Sequence, residues 1–321
     1  MLRLFVMASI RIGTASWTDP GFVADWYPPK LPARDRLRWY ADHFNYVEVN
    51  ATFYALPEMR TVARWCDETP AGFLFDVKLP KVLSRHRMEA RFLPPDLRTR
   101  VPQRNGVLQL TPDGESLIMS RVHRELRPLR DAGKLGAFLL QLSPSFRPKT
   151  HDLLELDSLQ PHLAGVPLAV ELRNRDWVLG SQLDATLQYF RDRQTTFVSV
   201  DAPKSEHFTV MPGLDYVTDP RLGYIRLHGR NAAGYIRGRS VAERFDYDYS
   251  DAEVEELAAR LRKLAREVKE LRIVANNNRS NYAPKLAERL AKLLGLEREL
   301  RETMEAALDR SRKATRQREL F

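Results

Sequence analysis

Eight strand-like segments recur along the chain and alternate with stretches of helical periodicity. The segments are IRIGTAS (10–16), YVEVNAT (46–52), FLFDVKLP (73–80), GAFLLQLS (136–143), PLAVELRN (167–174), TTFVSVDA (195–202), GYIRLHGR (223–230) and LRIVANNN (271–278). Parallel strands need long crossover connections, which are usually helices. A strand followed by a helix eight times is the order of a closed parallel (β/α)8 barrel of the TIM type, so the sequence predicts this α/β fold.

The chain is longer than such a barrel requires, because it has 321 residues and roughly 250 are typical for the fold. We expect the barrel to span residues 8–296, with an inserted loop at about 92–114, where Pro and Gly are frequent. We also expect a second long loop at residues 230–250 and a basic helical tail at residues 297–321. A doubly wound open sheet is the alternative architecture, but no strand-like segment is followed by a glycine-rich phosphate loop.

The amino-acid composition indicates a cellular compartment and the kind of partner that the protein binds. Cys66 is the only cysteine, so no disulfide can form within the chain, which is typical of a reducing cytoplasm. No run approaches the roughly 18 apolar residues of a membrane-spanning helix, and the apolar residues 1–10 continue directly into the first strand. We therefore expect a cytoplasmic protein without a signal peptide or a membrane partner. The net charge of +9 predicts an anionic partner.

Polar residues alternate with apolar ones inside most of the strand-like segments. Because alternate side chains of a barrel strand face the lumen and the helices, and helix-facing positions should be apolar, the polar series is expected to face the lumen. The alternative is a set of structural ion pairs, for example Glu171 with Arg173. The candidate catalytic residues are Glu48, Glu171, Asp201 and His228, and the candidate substrate-binding residues are Asn50, Tyr54, Lys78, Gln141, Arg173, Arg226, Arg230, Asn276 and Asn277.

The cations in this set favour an anionic ligand, because Arg pairs with phosphate or carboxylate through two hydrogen bonds. We expect Glu171 or Glu48 to act as a base and His228 as a proton shuttle. The sequence thus predicts an enzyme acting on a phosphorylated or carboxylated small molecule, or on a nucleotide, at the C-terminal face of the barrel. No cofactor is expected. Carboxylates and an imidazole make Mg²⁺ or Mn²⁺ an alternative, although the nearby cations would repel a metal ion.

A second hypothesis is a nucleic-acid-binding barrel, in one form a metal-assisted phosphodiester hydrolase resembling endonuclease IV. Its basis is the Arg- and Tyr-rich segment 234–249, four candidate exposed aromatic residues (Trp17, Trp26, Phe53 and Tyr54) and the basic tail. Residues 310–318 carry five cations and no acid, which predicts weak nucleic-acid binding through the tail. The alternative is that these cations belong to a solvated helix end.

Several motifs resemble one known family. They are GTASW (13–17), WYPPKLP (26–32), YVEVNATFYALP (46–57), LGAFLLQLSPSF (135–146), AVELRNRDW (169–177), YIRLHGRN (224–231) and the Asn run at 276–278. Together they are similar to the YecE-like family, domain of unknown function 72, over about residues 10–295. The resemblance implies a TIM-type barrel, in agreement with the strand count, and it implies no established reaction.

Overall fold

The computed structural model describes residues 8–296, and its eight barrel strands confirm the predicted fold. They are β1 (Ser9–Thr14), β2 (Tyr46–Val49), β3 (Leu74–Lys78), β4 (Leu135–Gln141), β5 (Leu168–Glu171), β6 (Thr196–Asp201), β7 (Leu222–Leu227) and β8 (Glu270–Ala275). The strands form one sheet in the order β1-β8-β7-β6-β5-β4-β3-β2. All hydrogen-bonded neighbours are parallel, as in a TIM-type barrel.

The seam between β1 and β2 is bridged by side chains. The Tyr40 hydroxyl accepts from the Thr14 backbone N–H at 2.8 Å and donates to the Tyr46 carbonyl oxygen at 3.0 Å. The side-chain oxygen of Asn45 accepts from the Ile12 backbone N–H of β1 at 3.1 Å. Gly13 permits this close approach, since a Cβ there would overlap the Tyr46 carbonyl oxygen and lie 2.6 Å from the Tyr40 hydroxyl.

Helices surround the sheet. They are α1 (Pro20–Asp25), α2 (Arg36–Ala41), α3 (Met59–Asp67), α4 (Pro95–Arg98), α5 (Pro112–Glu125), α6 (Arg127–Asp131), α7 (Gln182–Asp192), α8 (Ala232–Arg237), α9 (Val241–Arg244), α10 (Asp251–Ala265) and α11 (Tyr282–Leu293). Short 3₁₀ helices cover Ala33–Asp35, Ala51–Phe53, Ala90–Phe92, Leu153–His162 and Arg175–Val178.

Helix α10 shows how the sequence encodes these elements. Ser250 and Glu253 form a capping box at its start, in which each side chain accepts from the other residue's backbone N–H. Leu257 and Leu261, one helical turn apart, are fully buried between the helix and the sheet. Helix α10 therefore packs its apolar face against the outside of the barrel.

The predicted insertion lies between β3 and β4, and it has regular structure of its own. Residues 92–114 contain α4 and an antiparallel pair of short strands, Gln103–Arg104 with Val107–Leu108, and their last residues begin α5. Asn105 and Gly106 form the tight turn, with φ of 50° and 73°. An Asn-Gly pair between two short extended runs is a hairpin signal, so interpreting this segment as a plain loop was too coarse.

The segment 230–250 is not the continuous loop that the sequence predicted, because it contains α8 and α9. The Asn231 side chain accepts from the Gly234 backbone N–H at 3.0 Å and thereby caps α8. Gly234 and Gly238, within and just after α8, lower its intrinsic helix propensity, which is why the sequence pattern did not indicate a helix.

The predicted tail, 297–321, lies outside the described residues. The described chain ends shortly after α11, whose Leu286 and Leu290 are buried against the barrel. No helix between residues 8 and 296 is both long and apolar enough to cross a membrane.

Candidate active site at the C-terminal end of the barrel

Polar side chains meet at the C-terminal end of the lumen, which we call the mouth. Paired residues of neighbouring parallel strands share a face, and the register pairs Gln141 with Glu171 and Glu48 with Asp76. The mouth consists of Glu48, Lys78, Gln141, Glu171, Arg173, Arg226, His228 and Asn276. All eight of these residues belong to the predicted set, and they form one hydrogen-bonded network.

Arg226, on β7, joins two carboxylates across the lumen. Its Nε and Nη2 donate to the two oxygens of Glu48 at 3.0 and 2.7 Å, and its Nη1 donates to Oε2 of Glu171. All three side chains are at most 1% exposed. Burial alone would lower the pKa of Arg226, but the two carboxylates raise it above its ordinary value. Each of the three guanidinium nitrogens is thus occupied by a carboxylate of the protein itself.

Glu171 is the centre of the mouth. Besides pairing with Arg226, its Oε1 accepts from Gln141 Nε2 at 2.9 Å and lies 3.1 Å from Nε2 of His228. Nη1 of Arg173 lies 3.4 Å from the same oxygen. Burial alone would raise the pKa of Glu171, but Arg226, His228 and Arg173 hold it well below its usual value. The carboxylate is therefore ionised at neutral pH and surrounded by donors.

His228 follows β7 and is fully buried. Its Nδ1 lies 2.8 Å from the side-chain amide nitrogen of Asn276. Because an amide nitrogen is a donor, Nδ1 accepts, and Nε2 carries the proton that is donated to Glu171. Burial is the main cause that lowers the pKa of His228, so the imidazole is neutral at pH 7. Its ring stacks on Phe245 at 5.2 Å between centres.

Lys78 is the last residue of β3. Its Nζ donates to Oε1 of Gln141 at 2.7 Å and lies 4.2 Å from the centre of the Phe53 ring. Gln141 thus stands between the amine and the carboxylate of Glu171. Burial, followed by the charge of Arg226, lowers the pKa of Lys78 to about 7. Both the charged and the neutral amine are therefore present near pH 7, so the group can donate or accept a proton.

Arg173 lies two residues beyond the end of β5, with a side chain that is 14% exposed. Its guanidinium carbon lies 5.4 Å from the centre of the Tyr235 ring. Its Nε is buried without a hydrogen-bond partner. A buried donor without an acceptor is uncommon in proteins, and a ligand oxygen at the mouth would supply one.

A second polar layer lies beneath the mouth. The Tyr224 hydroxyl donates to Oε2 of Glu48 at 2.8 Å and lies 2.9 Å from the Tyr46 hydroxyl. Tyr46 donates to Oδ2 of Asp76 at 2.9 Å, and Arg272 donates to the same oxygen at 3.0 Å. Burial is the main cause that raises the pKa of both tyrosines, so their hydroxyls stay protonated. This layer closes the lumen below the mouth with paired groups.

The structure places Asp201 and Arg230 outside the lumen, contrary to expectation. On β6 the register pairs Asp201 with Leu227 and Val200 with Arg226. Since Arg226 faces inward, Val200 does too, and Asp201 faces the helices. There Asp201 accepts from Arg230 at 2.8 and 2.9 Å and forms an ion pair with Arg260 at 3.2 Å. The alternation rule failed on this strand because Val198 and Val200, not Ser199 and Asp201, face the lumen.

Three other predicted binding residues follow strand ends at the same side of the barrel. Asn277 donates to the Tyr247 carbonyl oxygen at 2.9 Å, and its own side-chain oxygen is buried without a partner. Asn50, directly after β2, likewise has a buried side-chain oxygen without a partner. Tyr54 is 63% exposed.

Of the four aromatic residues expected at the surface, only Tyr54 is exposed. Phe53 is 7% exposed and Trp17 and Trp26 are partly buried. Trp26 contacts the Trp39 ring edge-on at 4.4 Å between centres. These three rings stabilise the fold by apolar packing, and the expectation of an exposed aromatic row is incorrect for them.

Comparison with known proteins places this barrel in a family. The sequence matches the family described as Protein of unknown function DUF72 over residues 11–310. The chain belongs to the DUF72 family. The resemblance inferred from the motifs is thereby confirmed.

The chain is also similar to two curated proteins. The UPF0759 protein YunF of Bacillus subtilis (strain 168) is 27% identical over 292 residues, which cover 90% of this chain and 95% of that protein. The UPF0759 protein YecE of Escherichia coli (strain K12) is 30% identical over 182 residues, which cover 56% of this chain and 53% of that protein.

Solved DUF72 structures share the architecture. A crystal structure of a DUF72 family protein from Enterococcus faecalis V583 has a TM-score of 0.70 and 26% sequence identity, and the match covers 90% of this chain and 98% of that one. A DUF72 family protein from Thermotoga maritima MSB8 has a TM-score of 0.72 and 26% identity, with 89% and 99% covered. The barrel described above is therefore the fold of the family.

The sequence-based candidates did not include the four residues of the layer beneath the mouth, which are Tyr46, Asp76, Tyr224 and Arg272. On β7, Tyr224 lies two positions before Arg226 and therefore faces the lumen as Arg226 does. On β8, Arg272 lies two positions before Val274 and faces the lumen for the same reason. The same period of two that identified Arg226 would have identified both, had it been followed towards the start of each strand. The signal was present, but it was applied only to the strand ends.

The mouth is not arranged as a metal centre. In residues 8–296 no three His, Cys, Asp or Glu side chains lie close enough together to hold a metal ion. The oxygens of Glu48 and Glu171 face Arg226, and a cation bound there would have to displace that guanidinium. Mg²⁺ or Mn²⁺ binding stays a prediction that this geometry does not favour.

Proposed function

We propose that this DUF72 protein is an enzyme that binds an anionic small molecule, phosphorylated or carboxylated, at the mouth of its barrel. In this proposal Arg173 and Lys78 hold the anionic group, and Lys78 transfers a proton. Active sites of TIM-type barrels lie at this C-terminal end. Because the location of active sites in other barrels is only an analogy, the evidence for this proposal is the set of charged side chains at the mouth.

The observation that supports the proposal most is an excess of buried positive charge. Three cations, Lys78, Arg173 and Arg226, share the mouth with two carboxylates, Glu48 and Glu171. In the molecules whose Lys78 is protonated, which are part of the population near its pKa of about 7, one positive charge is left without a counter-ion among these residues. Burying an unpaired charge is costly, so an anion that bound there would recover much of that energy.

The layer beneath the mouth does not have this imbalance. Its Arg272 pairs with Asp76 and with Glu270, the first residue of β8, and Glu270 also pairs with Arg11 of β1. Two cations therefore meet two carboxylates. A lumen filled with structural ion pairs alone would be balanced in both layers, so the excess at the mouth supports a ligand site there.

Lys78 is the best placed of these residues for proton transfer. The pKa of Lys78, lowered by burial to about 7, matches the operating range of a general base or acid at neutral pH. The pKa of Glu171 is held far too low for it to accept a proton readily, and its oxygens are occupied by donors. Glu171 and His228 act instead as positioning residues that orient Arg226, Gln141 and one another.

The test is a thermal-shift screen of inorganic phosphate, sugar phosphates and small carboxylates. We expect at least one anion to raise Tm by about 5 °C at a hundredfold excess over its Kd. Arg173→Met should fold and lose that shift. Lys78→Met should still bind the anion more weakly but should not convert it, as followed by product formation.

Arg191→Met is the matched control, because Arg191 is exposed in the last turn of α7, at the end of the barrel opposite the mouth. It should leave the shift unchanged. Stabilisation that persists in Arg173→Met would place the anion elsewhere, and conversion that persists in Lys78→Met would remove Lys78 from the chemistry.

A further inference from the structure

A cleft lies beside the mouth, between the residues that follow β2 and the segment that leads from β3 to the start of the insertion. Its volume is about 610 Å³, and it is lined by Phe53, Tyr54, Lys81, Arg87, Met88, Glu89 and Phe92. This volume is within the range of clefts that hold small molecules. No residue of the mouth network lines it, so the network does not account for it.

Two large aromatic side chains in this cleft are left open to solvent. Tyr54 is 63% exposed and Phe92 is 54% exposed. Exposed aromatic rings on which a planar group can stack are characteristic of nucleobase binding, because every base presents an aromatic face. The adjacent Phe53, by contrast, is only 7% exposed.

The charge of the cleft fits an anionic ligand. Lys81 and Arg87 line it, and the guanidinium of Arg91 lies 5.0 Å from the centre of the Phe92 ring. Glu89 also lines the cleft, but it is paired with Arg91 at 3.0 Å. The cleft therefore combines aromatic faces with an excess of cations, which suits a ligand with a planar ring and a phosphate.

Phe53 connects the cleft to the mouth. Its ring forms part of the cleft wall and also lies 4.2 Å from Nζ of Lys78. Its carbonyl oxygen accepts from the Lys81 backbone N–H at 3.0 Å, which fixes the wall to the segment after β3. A ligand in the cleft would thus need to pass only one ring to reach the cations of the mouth.

We propose that this cleft binds the base of a nucleotide by stacking on Tyr54 and Phe92, while the phosphate lies at Lys78 and Arg173. The inference rests on the proposed function, because it takes the anion at the mouth as given and assigns its class. Among anionic small molecules it selects free nucleotides over sugar phosphates and carboxylates.

The test compares AMP, UMP, ribose 5-phosphate and inorganic phosphate by titration calorimetry with the full chain. We expect a nucleotide to bind about 5- to 150-fold more tightly than ribose 5-phosphate, which is the fold-change that base stacking of roughly 1–3 kcal/mol gives. Tyr54→Ala and Phe92→Ala should each weaken nucleotide binding about tenfold and leave ribose 5-phosphate binding unchanged. Both side chains are exposed, so neither variant should unfold the protein.

Phe208→Ala is the matched control, since Phe208 is 50% exposed and does not line the cleft. It should bind nucleotides as the parent chain does. Equal affinities for AMP, UMP and ribose 5-phosphate, all lost in Arg173→Met, would overturn the base site and leave the proposed function standing.

A different result would support the base site in the cleft while rejecting the anion site at the mouth. Nucleotide binding that depends on Tyr54 but survives Arg173→Met would keep the base site and overturn the anion site at the mouth. A single-stranded oligonucleotide that binds more tightly than the mononucleotides, with the same dependence on Tyr54, would overturn the assignment to free nucleotides.

Discussion

Arg226 donates to two carboxylates, whereas the nearest acceptor of Lys78 is a neutral amide oxygen. Both side chains are buried in the same lumen. The carboxylates raise the pKa of Arg226 against the effect of burial, while burial lowers the pKa of Lys78 to about 7. One residue is therefore held permanently charged as an internal counter-ion, and the other changes its charge near neutral pH.

Replacing Arg226 with Met should destabilise the fold strongly. The variant leaves Glu48 and Glu171 buried without their main counter-ion, and breaking such a pair costs about 3–5 kcal/mol. Urea denaturation measures the loss. Arg127→Met is the surface control, because Arg127 and Asp131 form an exposed pair, and it should cost at most about 1 kcal/mol. A loss below 1 kcal/mol for Arg226→Met would show that its guanidinium is not an internal counter-ion and is available to a ligand.

The lowered pKa of Lys78 makes stability depend on pH. The unfolded chain binds this proton up to about pH 10.4, whereas the folded chain releases it near pH 7. The contribution of Lys78 to stability is therefore lowest below pH 7 and increases as pH rises from 7 to about 10. The slope is at most about 1.4 kcal/mol per pH unit.

Urea denaturation at several pH values between 7 and 10 tests this dependence. The free energy of unfolding of Lys78→Met should rise less steeply over that window than that of the parent chain. The variant should also gain most stability at pH 7. Parallel curves for the two proteins would mean that the Lys78 amine titrates at its ordinary pKa.

At the scale of elements, the barrel strands differ in how they are joined and in which face is polar. Seven neighbouring pairs are joined by parallel backbone hydrogen bonds, and the seam between β1 and β2 is bridged by Tyr40 and Asn45. On β6 the polar side chains Ser199 and Asp201 point away from the lumen, and Asp201 pairs with Arg260 of α10. Neither exception follows from strand periodicity, which says that two faces differ but not which one is inside.

Gly13→Ala should weaken the seam. The added Cβ would overlap the Tyr46 carbonyl oxygen, so β1 and β2 must move apart, at a cost of about 1–3 kcal/mol for overpacking. Thermal unfolding measures the effect. Gly213→Ala is the control, since the nearest atom to its Cβ would be the Val200 carbonyl oxygen at 4.0 Å, and its Tm should stay within about a degree of the parent. Unchanged stability in Gly13→Ala would mean that the seam tolerates a wider spacing.

At the scale of the whole molecule, the order of elements was the part that the sequence predicted well. The barrel followed from eight strand and helix pairs, and the mouth followed from alternation at the ends of β2, β3, β4, β5 and β7. Within the mouth the sequence suggested the pair of Glu171 with Arg173, which the structure contains. The carboxylates that meet Arg226 did not follow, because that pairing depends on distances across the lumen. The cleft was also missed, since Phe92 lies in an inserted segment whose position relative to Tyr54 is set by tertiary packing.

The basic residues 310–318 provide a prediction about nucleic acids. Their five cations should give weak, non-specific binding that decreases with salt. Truncation after Ala307 should reduce that binding and flatten the slope of log affinity against log salt by roughly 0.7–0.9 for each lost phosphate contact. Anion binding at the mouth should not change. Filter binding at several salt concentrations provides the measurement.

A full-length variant with the five cations replaced by Gln separates charge from chain length, and it should behave as the truncated protein does. Tight, sequence-selective binding that survives truncation would instead favour a nucleic-acid-binding barrel over a small-molecule enzyme.

The position of β1 in the sheet has a consequence for synthesis on the ribosome. Strands β2 to β7 follow one another in both sequence and space, so each can pair with its predecessor as the chain emerges. β1 finds its backbone ladder only on β8, where Ser9 pairs with Glu270. Contacts between residues that lie so far apart in the sequence form late in folding. β1 leaves the ribosome before the other barrel strands, yet it is expected to be among the last of them to gain its backbone partners, and until then its apolar side chains stay exposed to solvent.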